Sequence, residues 1–118
     1  MKLNHLNLTV SDVQAARNFL TTYFGLRGMD GFAGDDNFTL LFDDEGFVLT
    51  LMKIGEKSEV KYPGSFHIGF VQESDELVNE INQRLKDDGY RVPEPKHFHG
   101  SWTFYLQAPG GFTVEVLH

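Results

Sequence analysis

The feature that most restricts how this chain can fold is an internal repeat, because a segment that occurs twice must fold in a similar way twice. Residues 5–26 are echoed by residues 67–90, each starting with His and continuing into a helix-like run. Residues 38–51 align in the same way with residues 102–116, with one residue inserted in the second turn. The alignment places four polar residues at matching positions of the two halves: His5, Thr50, His67 and Glu115.

Size and composition restrict the chain to one globular domain. With 118 residues it can bury a single adequate core, and 41% hydrophobic residues exclude a disordered chain. The longest apolar run is too short to cross a bilayer, and the net charge of -7 argues against a nucleic-acid partner. There is no Cys for a disulfide framework and no uninterrupted apolar stretch near Met1. We therefore expect a cytoplasmic location.

The first half predicts a strand, a helix and a hairpin in turn, at residues 3–10, 12–24 and 38–54. A capping box at Ser11–Gln14 marks the start of the helix, and Gly25 marks its end. The Gly- and Asp-rich residues between the helix and the hairpin predict a loop or a short irregular strand.

The second half predicts the same elements, at residues 66–71, 75–88 and 102–117, after a charged linker at residues 53–63. His97 and His99 lie between the helix and the last hairpin, in the run Pro-Glu-Pro-Lys-His-Phe-His-Gly. This run predicts either a solvated loop or a mobile lid that brings an acid/base group to a site.

Side-chain alternation along the strands gives a separate indication of a site. Residues of equal parity on a strand point to the same face of the sheet. His67 alternates with Phe66 and Ile68, and Glu115 alternates with Val114 and Val116. The polar candidates therefore lie opposite the more apolar rows. We expect the polar rows to face a common concave surface and the apolar rows to lie under the helices.

Three stretches resemble the vicinal oxygen chelate superfamily: Asn4–Asp12, the run Phe19-x-x-x-Tyr23-Phe24-Gly25-Leu26, and Pro109–Val116. This superfamily includes glyoxalase I, fosfomycin-resistance enzymes, extradiol dioxygenases, methylmalonyl-CoA epimerase and bleomycin-binding proteins. The resemblance covers the chain from Leu3 to Leu117. It implies an α+β fold in a single domain, 1–118, in which two βαβββ modules, 1–58 and 64–118, form a cup-shaped mixed sheet.

The resemblance also implies a metal site. By position, His5, His67 and Glu115 match the family's ligands for a divalent ion. Two imidazoles and one carboxylate suit Fe, Mn, Co, Ni or Zn and leave positions for substrate oxygens. Glyoxalase I-like members have a second Glu where this chain has Thr50, so ordinary glyoxalase I activity is not expected.

Further residues are candidates for contact with a substrate. Tyr105 matches a pocket tyrosine of the fosfomycin-resistance group, and His99 is the candidate acid/base group of the loop. These two residues are the predicted catalytic residues. The predicted pocket lining consists of Asn7, Thr50 and Thr103.

Two functions of different classes fit these residues. The first is a metal-dependent lyase, isomerase or dioxygenase that acts on a small substrate chelating the metal through adjacent oxygens. The alternative is a metal-free binding protein of the bleomycin-resistance type, and a purely structural interaction module is a third possibility. For the enzyme we expect a homodimer whose partner is a small-molecule substrate, with neither nucleic acid nor membrane as a partner.

Overall fold

The computed structural model describes residues 1–56 and 59–118, and the chain divides into two compact units. The first unit is Met1–Tyr62 with Ala108–Phe112, and the second is Pro63–Gln107 with Thr113–His118. The predicted linker therefore contains the division, although two of its residues, at 57 and 58, lie outside the described residues. The predicted module limits of 1–58 and 64–118 differ from this division at the turn of the last hairpin.

The turn of the last hairpin packs with the first unit because Gly110 has no side chain. Gly110 has a φ of +102°, and a Cβ there would lie 3.2 Å from the Cβ atoms of Val10 and Ala16. Its carbonyl accepts a hydrogen bond from Ser11 N at 3.0 Å. A glycine thus lets the turn approach the start of the first helix closely enough to bond its backbone.

The first module consists, in chain order, of β1 (His5–Thr9), α1 (Val13–Phe24), β2 (Arg27–Gly28), β3 (Phe38–Phe42) and β4 (Val48–Met52). The strand order in the sheet is β1-β4-β3-β2. Strand β1 runs parallel to β4, while β3 is antiparallel to both β4 and β2. The register pairs Thr50 of β4 with Asn7 on one side and Leu40 on the other.

Helix α1 buries one apolar stripe and contacts β3 and β4. The buried stripe is Val13, Ala16, Phe19, Leu20 and Tyr23. On the strands, Leu8, Leu41 and Leu51 are almost fully buried, whereas Asn7, next to Leu8, is exposed. The alternation expected from the sequence is therefore present in the first sheet.

The N-cap of α1 is Asp12, so the predicted capping box starting at Ser11 is wrong by one residue. The Asp12 carboxylate accepts a hydrogen bond from Ala15 N at 3.0 Å, which satisfies one of the free N–H groups of the first turn. Gln14, predicted to reach back to the cap, instead donates to the carbonyl of Asp35 at 3.0 Å. Gln14 thus ties the loop before β3 to the helix.

The second module consists of β5 (Ile68–Val71), α2 (Asp75–Asp87), β6 (Lys96–Phe98), β7 (Ser101–Ala108) and β8 (Phe112–Leu117). The strand order is β5-β8-β7-β6, and β5 runs parallel to β8 with Gly69 opposite Glu115. Trp102 and His118 exchange both backbone hydrogen bonds at 3.0 Å, as in an antiparallel pair. The predicted α+β fold of two βαβββ modules is confirmed.

Strand β6 was not predicted from the sequence, and the segment before β7 was assigned to a loop or a lid. Lys96–Phe98 pairs antiparallel with β7 through a two-residue turn, His99-Gly100, in which φ is +50° and +81°. Turns of this kind usually have Asn or Gly at the first position. All three residues of β6 are exposed. The strand therefore lacks the apolar alternation by which a strand is recognised in a sequence.

The N-cap of helix α2 is Ser74, whose hydroxyl accepts a hydrogen bond from Leu77 N at 3.2 Å. Its buried residues include Val78 and Leu85. Asn82 is also buried, and its amide donates to the carbonyl of Pro93 at 2.8 Å, which holds the segment leading to β6. Among the described residues, no helix is long and apolar enough to cross a membrane.

Two glycines in the loop between β2 and β3 test how closely this loop packs against β3. Gly34 and Gly31 both have a φ of +76°, but a Cβ at Gly34 would lie 2.5 Å from the Phe38 carbonyl, whereas a Cβ at Gly31 meets nothing within 4 Å. We expect Gly31→Ala to cost about 1–2 kcal/mol for the left-handed backbone alone. Gly34→Ala should cost a further ~1–3 kcal/mol, because the backbone of β3 must shift. Urea denaturation of the two variants measures the difference, and equal losses would contradict this packing.

Candidate functional site

The first module presents three predicted site residues on one face of its sheet. Asn7 and Thr50 are neighbours across the β1–β4 pair, and His5 lies two residues before Asn7 on the same face. His5 and Asn7 are exposed, whereas Thr50 is buried. Nδ1 of His5 lies 3.1 Å from Oδ1 of Asn4, which orients the imidazole.

The second module brings three predicted site residues into contact with Glu115. We call His67, Thr103, Tyr105 and Glu115 the Glu115 cluster. Nε2 of His67 lies 3.2 Å from Oε2 of Glu115. His67 itself precedes β5, which begins at Ile68, so the prediction that it lies within this strand is wrong. A Cβ at Gly69 would lie 3.9 Å from the same carboxylate oxygen, so the glycine leaves the space beside it open.

Thr103 holds the other carboxylate oxygen of Glu115. Its hydroxyl is fully buried and donates to Oε1 at 2.9 Å and to the backbone carbonyl of Val116 at 3.0 Å. A hydroxyl has one proton, so the two acceptors share it. The Glu115 side chain is only 13% exposed, and a carboxylate this buried needs hydrogen-bond donors in place of the water it has lost. Thr103 therefore anchors Glu115 rather than only lining a pocket.

The backbone near His67 determines which ring nitrogen is available. Nδ1 of His67 lies 3.0 Å from the carbonyl of Ser65, and a carbonyl can only accept, so Nδ1 must be the protonated nitrogen. In a neutral ring, Nε2 then carries a lone pair, and this lone pair faces Oε2 of Glu115 at an N–O distance of 3.2 Å. Two electron-rich atoms at this distance repel unless a cation lies between them, either a proton on Nε2 or a metal ion.

The separation of these two atoms suits a metal as well as a proton. Two ligand atoms bound about 2.1 Å from one ion, at the angles of octahedral or tetrahedral sites, lie about 3.0–3.4 Å apart. The observed 3.2 Å falls within this interval. The bond from Nδ1 to a carbonyl is also the usual way in which a metal-binding histidine is oriented. Imidazole and carboxylate are therefore a fitting donor pair for a divalent ion.

Tyr105 extends the Glu115 cluster. Its ring meets that of His67 edge to face, with centroids 5.3 Å apart. Partial burial, the hydrogen bond to Glu115 and the charge of that carboxylate all raise the pKa of the Tyr105 hydroxyl. The hydroxyl therefore stays protonated at neutral pH and can donate a hydrogen bond.

The remaining predicted residues are not part of this cluster. His99 is exposed in the turn between β6 and β7, where its ring packs on Phe98 with centroids 3.9 Å apart. His5 belongs to the first unit. Within residues 1–56 and 59–118, no three His, Asp or Glu side chains form a group that could hold a metal. The three-ligand set and the catalytic role of His99 remain predictions.

Sequence reasoning missed Ser65, whose contribution is a backbone carbonyl. Every residue type offers this carbonyl, so no signal in the sequence could identify it. The position of Thr103 in the repeat, matching Thr39, was visible, but its bond to Glu115 depends on the pairing of β7 with β8.

Removing the Thr103 hydroxyl tests how Glu115 is held. We expect Thr103→Val to destabilise the protein by about 1–3 kcal/mol, because the buried Glu115 carboxylate and Val116 carbonyl lose their donor. Thr103→Ser keeps the hydroxyl and should lose only about 1 kcal/mol, the cost of one buried methyl group. Thermal denaturation of both variants checks this order, and the reverse order would rule out the anchoring role.

The chain is similar to known proteins over its whole length. A family model described as the glyoxalase/bleomycin resistance protein/dioxygenase superfamily matches residues 2–116. The structure of a possible glyoxalase from Bacillus cereus is 53% identical in sequence, with 100% of this chain and 99% of that chain covered and a TM-score of 0.88. No curated protein matches the chain.

More distant structures share the fold alone. A lactoylglutathione lyase from Agrobacterium tumefaciens is 21% identical, with 98% of this chain and 92% of that chain covered and a TM-score of 0.76. A glyoxalase/dioxygenase from Nostoc punctiforme is 21% identical, with 98% and 89% covered and a TM-score of 0.77.

Proposed function

Since this chain belongs to the glyoxalase/bleomycin resistance protein/dioxygenase superfamily, we propose that it is a metal-dependent enzyme of the lyase, isomerase or dioxygenase type. Its substrate is a small molecule that chelates a divalent metal through adjacent oxygens. The contact between Nε2 of His67 and Oε2 of Glu115, at 3.2 Å with Nδ1 bonded to a carbonyl, carries this proposal. Either a proton between the two atoms or a metal ion satisfies this contact, and its length suits two ligands of one ion.

Each residue of the Glu115 cluster has a role in this proposal. His67 and Glu115, together with His5, would hold the ion. When bound, a divalent ion supplies Lewis-acid stabilisation of substrate oxygens. Thr103 fixes the carboxylate through Oε1 and leaves Oε2 for binding. Tyr105 is protonated at neutral pH, and by giving up its hydrogen bond to Glu115 it donates instead to a substrate oxygen on which negative charge develops.

The residue at position 50 argues against glyoxalase I activity, because that reaction needs a base and this chain has Thr50. It occupies the position that repeats Glu115, and its hydroxyl is far too weak a base to remove a proton from carbon at neutral pH. It is also buried beside Leu40 and Asn7 in the register of the first sheet. We therefore propose a reaction other than the isomerisation of the methylglyoxal–glutathione adduct.

Metal titration tests the proposed ligand set. We expect the wild type to bind Mn(II), Ni(II), Zn(II) or anaerobic Fe(II), and His5→Ala, His67→Ala and Glu115→Ala each to weaken binding by more than about 100-fold. His118→Ala is the matched control, because His118 pairs with Asp75 outside the cluster and should not affect the metal. Calorimetric titration of chelator-treated protein measures the affinities.

The same titration separates the enzyme from the alternative. If the wild type binds no metal more tightly than Glu115→Ala does, the metal-free binding protein of the bleomycin-resistance type replaces the proposed enzyme. A homodimer is part of the proposal, and sedimentation of the wild type in the presence and absence of metal determines the oligomeric state.

Adding the missing carboxylate tests the role of Thr50. We expect negligible methylglyoxal–glutathione isomerase activity in the wild type and a tighter metal site in Thr50→Glu, because a carboxylate binds a cation far better than a hydroxyl does. Burial of the new charge should lower the thermal midpoint of the metal-free variant. Metal should then raise that midpoint by at least about 4 °C more than in Thr50→Gln, which has the same size without the charge. Strong isomerase activity in the wild type, dependent on metal and on His5, would contradict this role.

A further inference from the structure

An open cavity of about 470 Å³ lies in the first unit, between Arg17 of α1 and residues 28–33. We call these six residues the 28–33 segment. Its lining contains none of the predicted metal, catalytic or pocket residues. The cavity therefore needs an explanation separate from the proposed metal chemistry.

Arg17 is the only cationic side chain in the part of the cavity wall that the structure describes. Its Nε is enclosed by protein and has no hydrogen-bond partner among the described residues. A buried polar nitrogen without a partner is uncommon, since it forfeits its bonds to water. The other arginine of this module provides a contrast, because Arg27 is exposed and pairs with Asp44 at 2.8 Å.

The partial burial of Arg17 makes its guanidinium a better receptor for an anion. A cation that has already lost part of its hydration gains more from a bound carboxylate than a fully solvated one does. The planar guanidinium also offers two parallel donors to the two oxygens of a carboxylate. Gly28 helps here, because a Cβ at that position would lie 3.4 Å from Nη2 of Arg17.

The 28–33 segment is held in place as a cavity wall. Thr39 donates to the carbonyl of Ala33 at 3.3 Å, and Met29 bridges to Phe32 with an N–O distance of 3.1 Å. Gln14, on the helix that holds Arg17, donates to the carbonyl of Asp35, two residues after the segment, at 3.0 Å. A wall formed in the absence of a ligand loses little conformational freedom when one binds.

The other lining residues indicate what kind of anion fits. Met29 and Phe32 are 44% and 39% exposed, so their side chains can cover an apolar group of a ligand. Asp30 also lines the cavity, and its negative charge opposes a dianion more than a monoanion. We propose that Arg17 and the 28–33 segment form a binding site for a small monocarboxylate with an apolar or aromatic body.

Benzoate is a suitable probe, followed by amide chemical shifts of the full-length protein at constant ionic strength. Benzoate should bind saturably and shift the amides of the 28–33 segment, while inorganic phosphate and the neutral benzyl alcohol should bind at least about tenfold more weakly. Arg17→Gln should weaken benzoate binding at least tenfold. Arg27→Gln, the matched control, should leave it unchanged.

Two further variants complete the test. Asp30→Asn removes the opposing charge at an exposed position and should tighten benzoate binding at least twofold, a result that does not depend on the folding of Arg17→Gln. Glu115→Ala should bind benzoate as the wild type does, so failure of the proposed metal site leaves this test intact. The proposal is overturned if benzoate does not saturate, if phosphate binds more tightly, or if Arg17→Gln and Arg27→Gln bind alike.

Discussion

The parallel pairing of the first and last strands of each module is the constraint on which the remaining structure depends. Two parallel strands cannot be joined by a tight turn, so each module must cross over through a helix before the last strand returns. Here β1 pairs with β4 and β5 pairs with β8 in the same way. The register then sets Thr50 beside Asn7 and Glu115 beside Gly69. A slip of one residue would turn every polar side chain of the strand towards the helix.

The two modules use equivalent positions for different chemistry. Glu115 is charged and nearly buried, and the second module supplies it with a hydroxyl from Thr103, an imidazole from His67 and the open space beside Gly69. Thr50 is buried between neutral neighbours and needs no such partners. A buried charge is stable only where its surroundings compensate it, so a repeat in the backbone does not imply a repeat in function.

Compensation of charge also distinguishes the arginines of the first module. Arg27 lies on the surface with Asp44, where water and the carboxylate both stabilise it. Arg17 has one enclosed nitrogen without a partner and faces a cavity. Glu115 has hydrogen-bond and charge partners within the fold. Nε of Arg17 has no such partner among the described residues. The two proposed sites therefore lie at buried polar groups of the two modules.

The sequence by itself determined the features that depend on local periodicity. The two helices, the strands β3 and β8, and the face on which Glu115 lies follow from patterns of 3.6 and 2 residues, and the two-module fold follows from the repeat. Patterns of this kind need an apolar row to be visible. Strand β6 has none, and the capping-box pattern placed the cap of α1 at Ser11 rather than at Asp12, so these two local features were predicted wrongly.

Only the tertiary structure decided which atoms meet across strands. The bond from Thr103 to Glu115, the carbonyl of Ser65 that sets the tautomer of His67, and the cavity beside Arg17 all join parts that are separate in the chain or use backbone atoms common to every residue. Residue type records what a side chain can donate or accept, but not its distance from a partner. Those distances come from the register of paired strands and the packing of a helix against a loop, and they turn a set of candidate residues into a site.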